Sequence, residues 1–312
     1  MKLGKEQLKR LLTKDCLYWV IYILCRDLHL NRLLSDKLYT KLQYRVRVGK
    51  KLNLTNPKSF NEKLQWLKLY DHNPIYPTIV DKLAVKEYVS NIIGEKYIIR
   101  TLGVWNSFEE IEFSKLPNQF VLKTTHGGGN TGVVICKDKA SFDYSYAKRI
   151  LELSLKKDAY MISREWPYKY VPRRIIAEEY MEDTRTGELR DYKFFCFDGQ
   201  PKALFVATQR QFREEPCFDF FDTDYNHLDF RCSHPTADVV PEKPESFDEM
   251  LNLARMLSQG FTHVRVDLYD INGKPYFGEL TLYHWEGLMP FYPDDWNNIW
   301  GTWINLPNDE SR

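Results

Sequence analysis

Two carboxylates stand where a charge is expensive. Asp267 lies in the middle of HVRVDLYD and Glu279 in the middle of PYFGELTLY, both otherwise apolar in alternation, and a charge in such a strand is costly unless something neutralises it. A magnesium ion that also holds the phosphates of a nucleotide would do so, because that ion takes one or two carboxylates together with substrate phosphates. Strand alternation puts His263, Arg265 and Asp267 on one face and Val264, Val266 and Leu268 on the other, and Glu279 and Thr281 alternate with Leu280 and Leu282 in the same way. The two strands flank Asn272-Gly273. A bare two-residue turn there would leave Asp267 and Glu279 on opposite faces, so a three- or five-residue loop, or a bulge, is expected to align them. An exposed charged face on an edge hairpin is the alternative.

A glycine cluster supplies the second signal, in KTTHGGGNTG from Lys123 to Gly132. Gly127, Gly128, Gly129 and Gly132 let backbone amides approach phosphate oxygens, and Lys123 ahead of them adds a point charge. The order is not that of a Walker loop, in which Gly-Lys-Ser/Thr opens a helix; here the lysine comes first and GVVIC, which follows, is strand-like. A glycine loop between two strands suggests a flap over phosphates, with a plain glycine-rich hairpin as the alternative. Third, Glu178, Glu179, Tyr180 and Met181 continue the strand residues Arg174 to Ile176. Free backbone groups there can pair with an adenine edge, and Tyr180 and Met181 offer the ring an apolar wall; ordinary strand sequence reads the same way. No GxSxG or HExxH motif supplies a nucleophile or a zinc site.

The elements that must position these groups follow from periodicity. Up to about Lys115 the pattern is mostly helical, over Lys5 to Leu34, Ser59 to Tyr70 and Thr78 to Ile93, with Ser59 and Glu62 spaced as a capping box. The apolar run Cys16 to Cys25 is shorter than the roughly 20 residues that span a bilayer. It reads as a buried helix, with a helix lying on a membrane surface as the alternative because basic residues precede it. From Asn118 the period changes to strands: QFVLKTT and GVVICK around the glycine loop, a helix from Phe142 to Lys156, RIIAEEYME, then RDYKFFCF and PKALFVAT joined by Asp198-Gly199-Gln200. A helix from Ser246 to Leu257 precedes the final hairpin, while Phe212 to Ser246 carries no clear pattern. The chain reads as α+β with antiparallel hairpins, divided into a mostly helical region 1–115, a glycine-loop subdomain 116–185 and an antiparallel-sheet region 186–312.

Composition narrows the class. Of 312 residues 43% are hydrophobic and 28% charged, as in a folded chain. Forty-four basic and 43 acidic residues nearly cancel, which removes the footprint of a nucleic-acid partner. Six cysteines without a CxxC pair, and a charged start, MKLGKEQLKRLLTKD, that lacks the form of a signal peptide, fit a reduced, cytoplasmic protein. The 15% aromatic content serves core packing or the stacking of sugar rings.

In this order NPKSFNEKLQWLKLYD, VDKLAVKEYV, FVLKTTHGGGNTG, IIAEEYM, RDYKFFCFDG and VRVDLYDINGKPYFGELT resemble the TupA-like branch of the ATP-grasp superfamily, over roughly Asp81 to Gly287. The resemblance implies the ATP-grasp fold, with an N-terminal domain, a mobile lid subdomain and a C-terminal domain, and ATP between the last two. It makes Lys123 the lid lysine on the phosphates, Gly127, Gly128, Gly129 and Gly132 the flexible loop, Glu178 to Met181 the adenine hinge, and Lys82 a second phosphate lysine with Lys86 one turn beyond. Asp267 and Glu279 would hold Mg2+. Thr281 stands where many ATP-grasp proteins have Asn, a weaker oxygen ligand. Arg265 would contact the transferring phosphoryl group, and Asp191 and Lys193, on one strand face, the ribose or phosphate.

The branch is associated with teichuronopeptide and other surface-polysaccharide synthesis. It implies a ligase that turns a carboxylate, a uronic acid of a surface glycan, into an acyl phosphate and passes it to an amine, at the inner face of the membrane if the N-terminal helix touches it. Tyr160, Arg164, Trp166, Tyr168, Arg210 and Arg213 are candidate substrate contacts, with ordinary packing as the alternative. A sugar kinase on the same fold, a glycosyltransferase and a non-catalytic glycan-binding protein are the competing readings.

Overall fold

The computed structural model describes residues 16–129, 131–210 and 215–307. Packing groups them into two units, one made of the chain up to His72 with Tyr160–Trp166 and the stretch from Tyr283 on, the other of Asn73–Ala159 and Pro167–Leu282.

In the first unit, helices cover Cys16–Asp27, Asp36–Val48, Phe60–Tyr70 and Asp295–Thr302. The expected capping box starts the third: the Glu62 amide donates to Ser59 Oγ at 3.3 Å and the Ser59 amide to Glu62 Oε2 at 3.2 Å, which satisfies two of the donors a helix start leaves open. Phe60 then packs edge-on against Phe291 and Trp300, with ring centroids 5.9 and 5.4 Å away. The helix Cys16–Asp27 forms as expected, but it is not buried: none of its residues is. Leu17, Ile21 and Leu24, with Leu28 just beyond, form an exposed stripe, Leu17 at 65% and Leu28 at 61% exposure. The physical reason is one-sided packing. Tyr22 stacks on Tyr39 and Arg45 lies over the Tyr18 ring, so the helix Asp36–Val48 covers one flank. The part of the expected Lys5–Leu34 helix before Cys16 lies outside the described residues.

In the second unit the helix expected over 78–93 is divided into Tyr76–Val80 and Ala84–Ile93. Asp81 causes the break: its Oδ1 accepts from the Leu83 and Ala84 amides at 2.8 and 3.3 Å, a local alternative to the helical ladder. The strands of four or more residues are β1 (Thr101–Trp105), β2 (Phe120–Thr124), β3 (Val133–Cys136), β4 (Ile175–Glu179), β5 (Asp191–Phe197), β6 (Gln200–Thr208), β7 (Cys217–Asp222), β8 (His263–Ile271) and β9 (Lys274–Thr281). They form two antiparallel sheets, in the orders β1-β4-β2-β3 and β9-β8-β5-β6-β7. In the first, Phe120, Leu122, Ile175 and Ala177 are buried with Ala147 and Leu151 of the helix Tyr144–Lys156, so alternation turns Val121, Lys123 and Glu178 to the other face. In the second, Phe194 meets Phe247 of the helix Phe247–Leu257, and the register places Val266 and Leu268 beside Phe194 and Tyr192. Asp191, Lys193, Arg265 and Asp267 take the opposite face.

Strands β1 and β7 lie where periodicity predicts helix or no pattern. The five residues of TLGVW are too few to show a period. CFDFFD hides its alternation because both faces are covered, including buried Asp219, which accepts from the Ala237 amide at 3.1 Å.

The final hairpin meets the geometric demand in an unexpected combination. The turn is the two-residue one, with Asn272 and Gly273 both left-handed at φ 52° and 80°, and the pairing runs Ile271–Lys274 to Leu268–Phe277. A bulge then skips Gly278, so that Glu279 pairs directly with Asp267 and Thr281 with Arg265. One extra residue flips the parity and brings both carboxylates onto one face. A Cβ at position 278 would lie 3.1 Å from both the Asp267 carbonyl oxygen and the Tyr269 ring. Gly278→Val is therefore expected to lower the unfolding free energy by about 1–3 kcal/mol through overpacking. Urea unfolding checks this, and an unchanged midpoint would mean that the bulge tolerates a side chain.

Candidate functional site

The charged face of β5, β8 and β9 carries a continuous network. Arg265 grips Asp267 through two bonds, Nε to Oδ1 and Nη2 to Oδ2, each 2.7 Å, and its Nη2 also donates to Thr281 Oγ1 at 3.0 Å. Lys193, opposite Asp267 in register, donates to that carboxylate from the other side and pairs with Asp191 at 2.6 Å, which in turn receives Arg210 at 3.1 Å. Glu279 is held by Lys82 Nζ at 2.7 Å. Burial would raise both carboxyls, but Arg265 and Lys193 outweigh it at Asp267, and Lys82 outweighs it at Glu279 against the opposing charge of Asp267, so both stay below their usual range and ionised. The pair is unequal: the Asp267 side chain retains 2% of its exposure and that of Glu279 30%. Asp267 is locked in place, and Glu279 faces the open side. His263, the third polar residue of this strand face, is structural: burial pushes its pKa down to about 3, and its Nδ1 sits 2.9 Å from the Cys196 carbonyl oxygen.

The other sheet carries a second ionic centre. Glu178 receives Lys123 on one oxygen and Lys86 on the other, the latter at 2.6 Å. Lys86 also donates to the Ile99 carbonyl and Thr101 Oγ1, at 2.7 and 2.9 Å. Burial alone would raise the Glu178 carboxyl, and the two ammoniums overcome it and bring the pKa down to about 2. Strand β4 has neighbours on both sides, and the Glu179 amide donates to the Arg100 carbonyl at 3.0 Å. The backbone of β4 up to Glu179 is thus engaged in the sheet, and of the four residues expected as a hinge Tyr180 and Met181 lie past its last pair. The Glu178 side chain gathers the two lysines.

Lys82 joins the two centres. Its amide donates to the Thr125 carbonyl at 3.0 Å, two residues past Lys123, while its ammonium holds Glu279. Next to it Arg174 Nη2 pairs with Asp81 at 2.9 Å, so the segment that carries Lys82 is tied to the start of β4. Lys82 thus contacts both Glu279 and the segment that follows Lys123.

The four loop glycines have different reasons to be glycine. A Cβ on Gly132, at φ 71°, would come within 2.4 Å of Thr124 Oγ1 and 2.3 Å of Ser154 Oγ, and one on Gly127 within 2.5 Å of the Thr131 carbonyl oxygen. These two form the packed base of the loop. Gly128 and Gly129 meet nothing within 4 Å and form its open tip, next to Asn130, which lies outside the described residues. His126 anchors the base, with Nε2 3.1 Å from the Ser154 carbonyl oxygen. It stands immediately ahead of the glycines, and nothing in its spacing distinguished it.

Of the candidate substrate contacts, three carry structural roles within the first unit. Tyr160 is buried with its hydroxyl on Asp36, Arg164 donates to the Asn31 carbonyl and lies over the Tyr39 ring at 4.8 Å, and Trp166 Nε1 donates to the Asp71 carbonyl at 3.1 Å. Arg210 belongs to the Asp191 network, and Arg213 lies outside the described residues. Packing claims these side chains because a guanidinium or indole enclosed by protein must find acceptors there.

A divalent cation fits this donor set in one way. Among the described residues no group of three or more His, Cys, Asp or Glu is arranged to hold a metal. The two adjacent carboxylates are hard oxygen donors of the kind Mg2+ shares with phosphate oxygens, and not a complete protein cage. Asp191 Oδ1 is buried without a hydrogen-bond partner, a further oxygen with capacity left on this face.

A family model described as TupA-like ATP-grasp matches residues 62–305. Solved structures similar to the chain include a D-alanine–D-alanine ligase from Bacillus anthracis complexed with ATP, at 16% identity and TM-score 0.40 over 66% of this chain and 55% of that one. An L-amino acid ligase from Bacillus licheniformis matches at 12% and 0.44 over 71% and 48%. The ATP-grasp ligase PsnB complexed with a minimal precursor matches at 13% and 0.40 over 83% and 66%. The chain thus spans about half the length of the first two of these proteins and two thirds of the third. No curated protein sequence matches it significantly.

The Glu178 centre makes a pH-dependent statement. Its carboxyl titrates near 2 in the folded protein and near 4.5 in an unfolded chain, so its stabilisation, about 3 kcal/mol, is complete above roughly pH 4.5 and lost as pH falls toward 2. Glu178→Gln should be less stable than wild type by at least that amount at pH 7, with the gap closing on acidification through this window. Urea unfolding at pH 7, 5 and 3 measures it, and a gap that stays constant would remove the ion pairs as its cause.

Proposed function

The chain belongs to the TupA-like ATP-grasp family, and on that premise we propose that it is an ATP-dependent carboxylate–amine ligase. The observation that carries this reading is the arrangement around Lys82, which contacts the segment after Lys123 through its backbone and Glu279 through its side chain. That link supports a reading in which Lys82, Lys123, Asp267 and Glu279, from distant segments, would serve one triphosphate. Asp267 and Glu279 would hold Mg2+, which when bound neutralises charge on phosphate oxygens. Lys193 and Lys82, now on the carboxylates, are the cations a triphosphate would draw toward itself. Lys123 and the open tip Gly128–Gly129 would cover the phosphates, with Tyr180 and Met181 against the adenine. Arg265, fully engaged by Asp267 and Thr281, acts in this reading as a positioning residue that fixes the buried carboxylate.

In the reaction a substrate carboxylate oxygen attacks the γ-phosphorus, ADP leaves, and an acyl phosphate results. An amine then attacks the acyl carbon, loses a proton and displaces phosphate, so that an amide forms. The protein supplies position and charge rather than a nucleophile, in keeping with a face made of lysine, arginine and carboxylate. Closure of the loop over the intermediate would exclude water, which otherwise hydrolyses it. The family's association with surface polysaccharides supports a uronic acid as the carboxylate and an amino acid or amine as the acceptor. The exposed stripe Leu17–Ile21–Leu24–Leu28 supports contact with a membrane surface.

The test is product analysis. ATP, uronic acid oligomers and an amine pool should yield ADP, phosphate and a product whose mass equals acid plus amine minus water. A stable phosphate ester would instead establish a kinase, and consumption of a nucleotide sugar a glycosyltransferase. Asp267→Asn and Glu279→Gln are each expected to lower kcat by about 10²–10³-fold, with melting temperatures recorded to separate lost turnover from lost folding; full turnover in both would overturn the role given to these carboxylates. For the helix stripe, Leu17→Asp with Leu24→Asp should abolish co-sedimentation with vesicles containing phosphatidylglycerol, and the contact is refuted if wild type fails to sediment with them.

A further inference from the structure

A cavity of about 650 Å³ opens in the first unit, lined by Lys37, Lys41, Lys51, Leu52, Asn53, Leu54, Thr55 and Tyr70. Among the described residues three lysines and no acid line it, and two carboxylates near it in sequence, Asp36 and Glu62, already have partners of their own. Asp36, adjacent to Lys37, accepts from the Tyr160 hydroxyl and faces Arg164 at 3.6 Å. Glu62 accepts from the amides of Asn53, Lys58 and Ser59, at 3.4, 3.0 and 3.2 Å. The wall is therefore positively charged without a compensating partner among its lining residues, and an anion would relieve the repulsion between the ammoniums.

The remaining lining selects the kind of anion. A phosphate alone would leave most of this volume open, whereas pockets of this size take a ligand of several rings. Leu52 and Leu54 are buried at the wall, and the Tyr70 ring already has Lys37 Nζ 5.9 Å from its centroid. Apolar surface and an aromatic face suit the faces of sugar rings. Asn53 Oδ1 accepts from the Thr55 and Asn56 amides at 3.1 and 3.0 Å, which leaves its NH2 group as a donor, and the Thr55 hydroxyl is a second group for ring hydroxyls. Lysines, as flexible point charges, suit carboxylates carried on a chain with several orientations.

We propose that this cavity binds an acidic oligosaccharide through its carboxylates, as an anchoring site separate from the residues that would handle ATP. The inference goes beyond the ligase reading and does not need it, because the site is complete without nucleotide.

Isothermal titration of the full chain, free of nucleotide, with tri-galacturonic acid tests it, with the carboxyl-reduced neutral trimer and pyrophosphate as comparisons. The acidic trimer should bind at least tenfold more tightly than the neutral one, and the affinity should fall as salt is raised. The triple variant K37Q/K41Q/K51Q should weaken binding of the acidic trimer at least tenfold while its affinity for ADP stays at the wild-type value. If the triple variant melts early, Lys41→Gln alone, an exposed change, should still weaken binding severalfold. Equal binding of acidic and neutral trimers, wild-type affinity in the variants, or pyrophosphate competing as strongly as the trimer would each overturn the proposal. Failure here with ADP binding intact leaves the ligase reading standing, whereas absence of ADP binding with the trimer bound would do the reverse.

Discussion

Two carboxylates directly opposite each other on neighbouring strands repel, and burial raises the cost. Asp267 and Glu279 are such a pair, and the architecture around them answers the repulsion. Arg265 and Lys193 enclose the buried member, and Lys82 reaches the open one from a different part of the unit. Each cation also makes a second contact that orients it: Arg265 with Thr281, Lys193 with Asp191, and Lys82 through its own amide with Thr125. The sheet order β9-β8-β5 follows from the same requirement, since only a central β8 can place Asp267 between Glu279 and Lys193.

Such a network is well suited to exchange partners. Its charged groups are already positioned, so in the proposed reading a phosphate-bearing ligand with a divalent ion would substitute for internal pairs without creating an unpaired buried charge. The unequal exposure of the two carboxylates divides the work, with Asp267 as the fixed member and Glu279 as the accessible one. The glycine loop shows a similar division. Gly127 and Gly132 are required by the close approach of Thr124, Thr131 and Ser154, and Gly128 and Gly129 by nothing that touches them.

The first unit solves a different problem, that of polar groups inside a helical core. Asn31 and Gln43 donate to the Met161 and Ile162 carbonyls, Gln65 to Glu286 and Gly287, and Lys68 to Ser163 and Glu286. Short segments from Tyr160–Trp166 and from Tyr283 on are thus held to the N-terminal helices by side chain to backbone bonds. Backbone carbonyls of irregular segments need donors when they are buried, and Asn, Gln and Lys provide them. The polar faces of these helices are for that reason partly inward, while an apolar face of Cys16–Asp27 is outward.

Much of this was legible in the chain. The capping box at Ser59, the hairpin turns at Asp198-Gly199 and Asn272-Gly273, the glycine loop between two strands and the alternation that sets Asp267 apart from Val266 are local, and local sterics and period determine them. The need for a shift in register before Glu279 was also visible, because parity is arithmetic on the sequence. What only the tertiary structure decided is which groups the charged residues meet. That Gly278 supplies the bulge, that Glu178 gathers Lys86 and Lys123, that Asp81 breaks a helix next to Lys82, and that Tyr160, Arg164 and Trp166 serve packing all depend on neighbours brought from elsewhere in the chain. The same holds for the burial expected at Cys16–Cys25, since an apolar face is buried only where another element arrives to cover it.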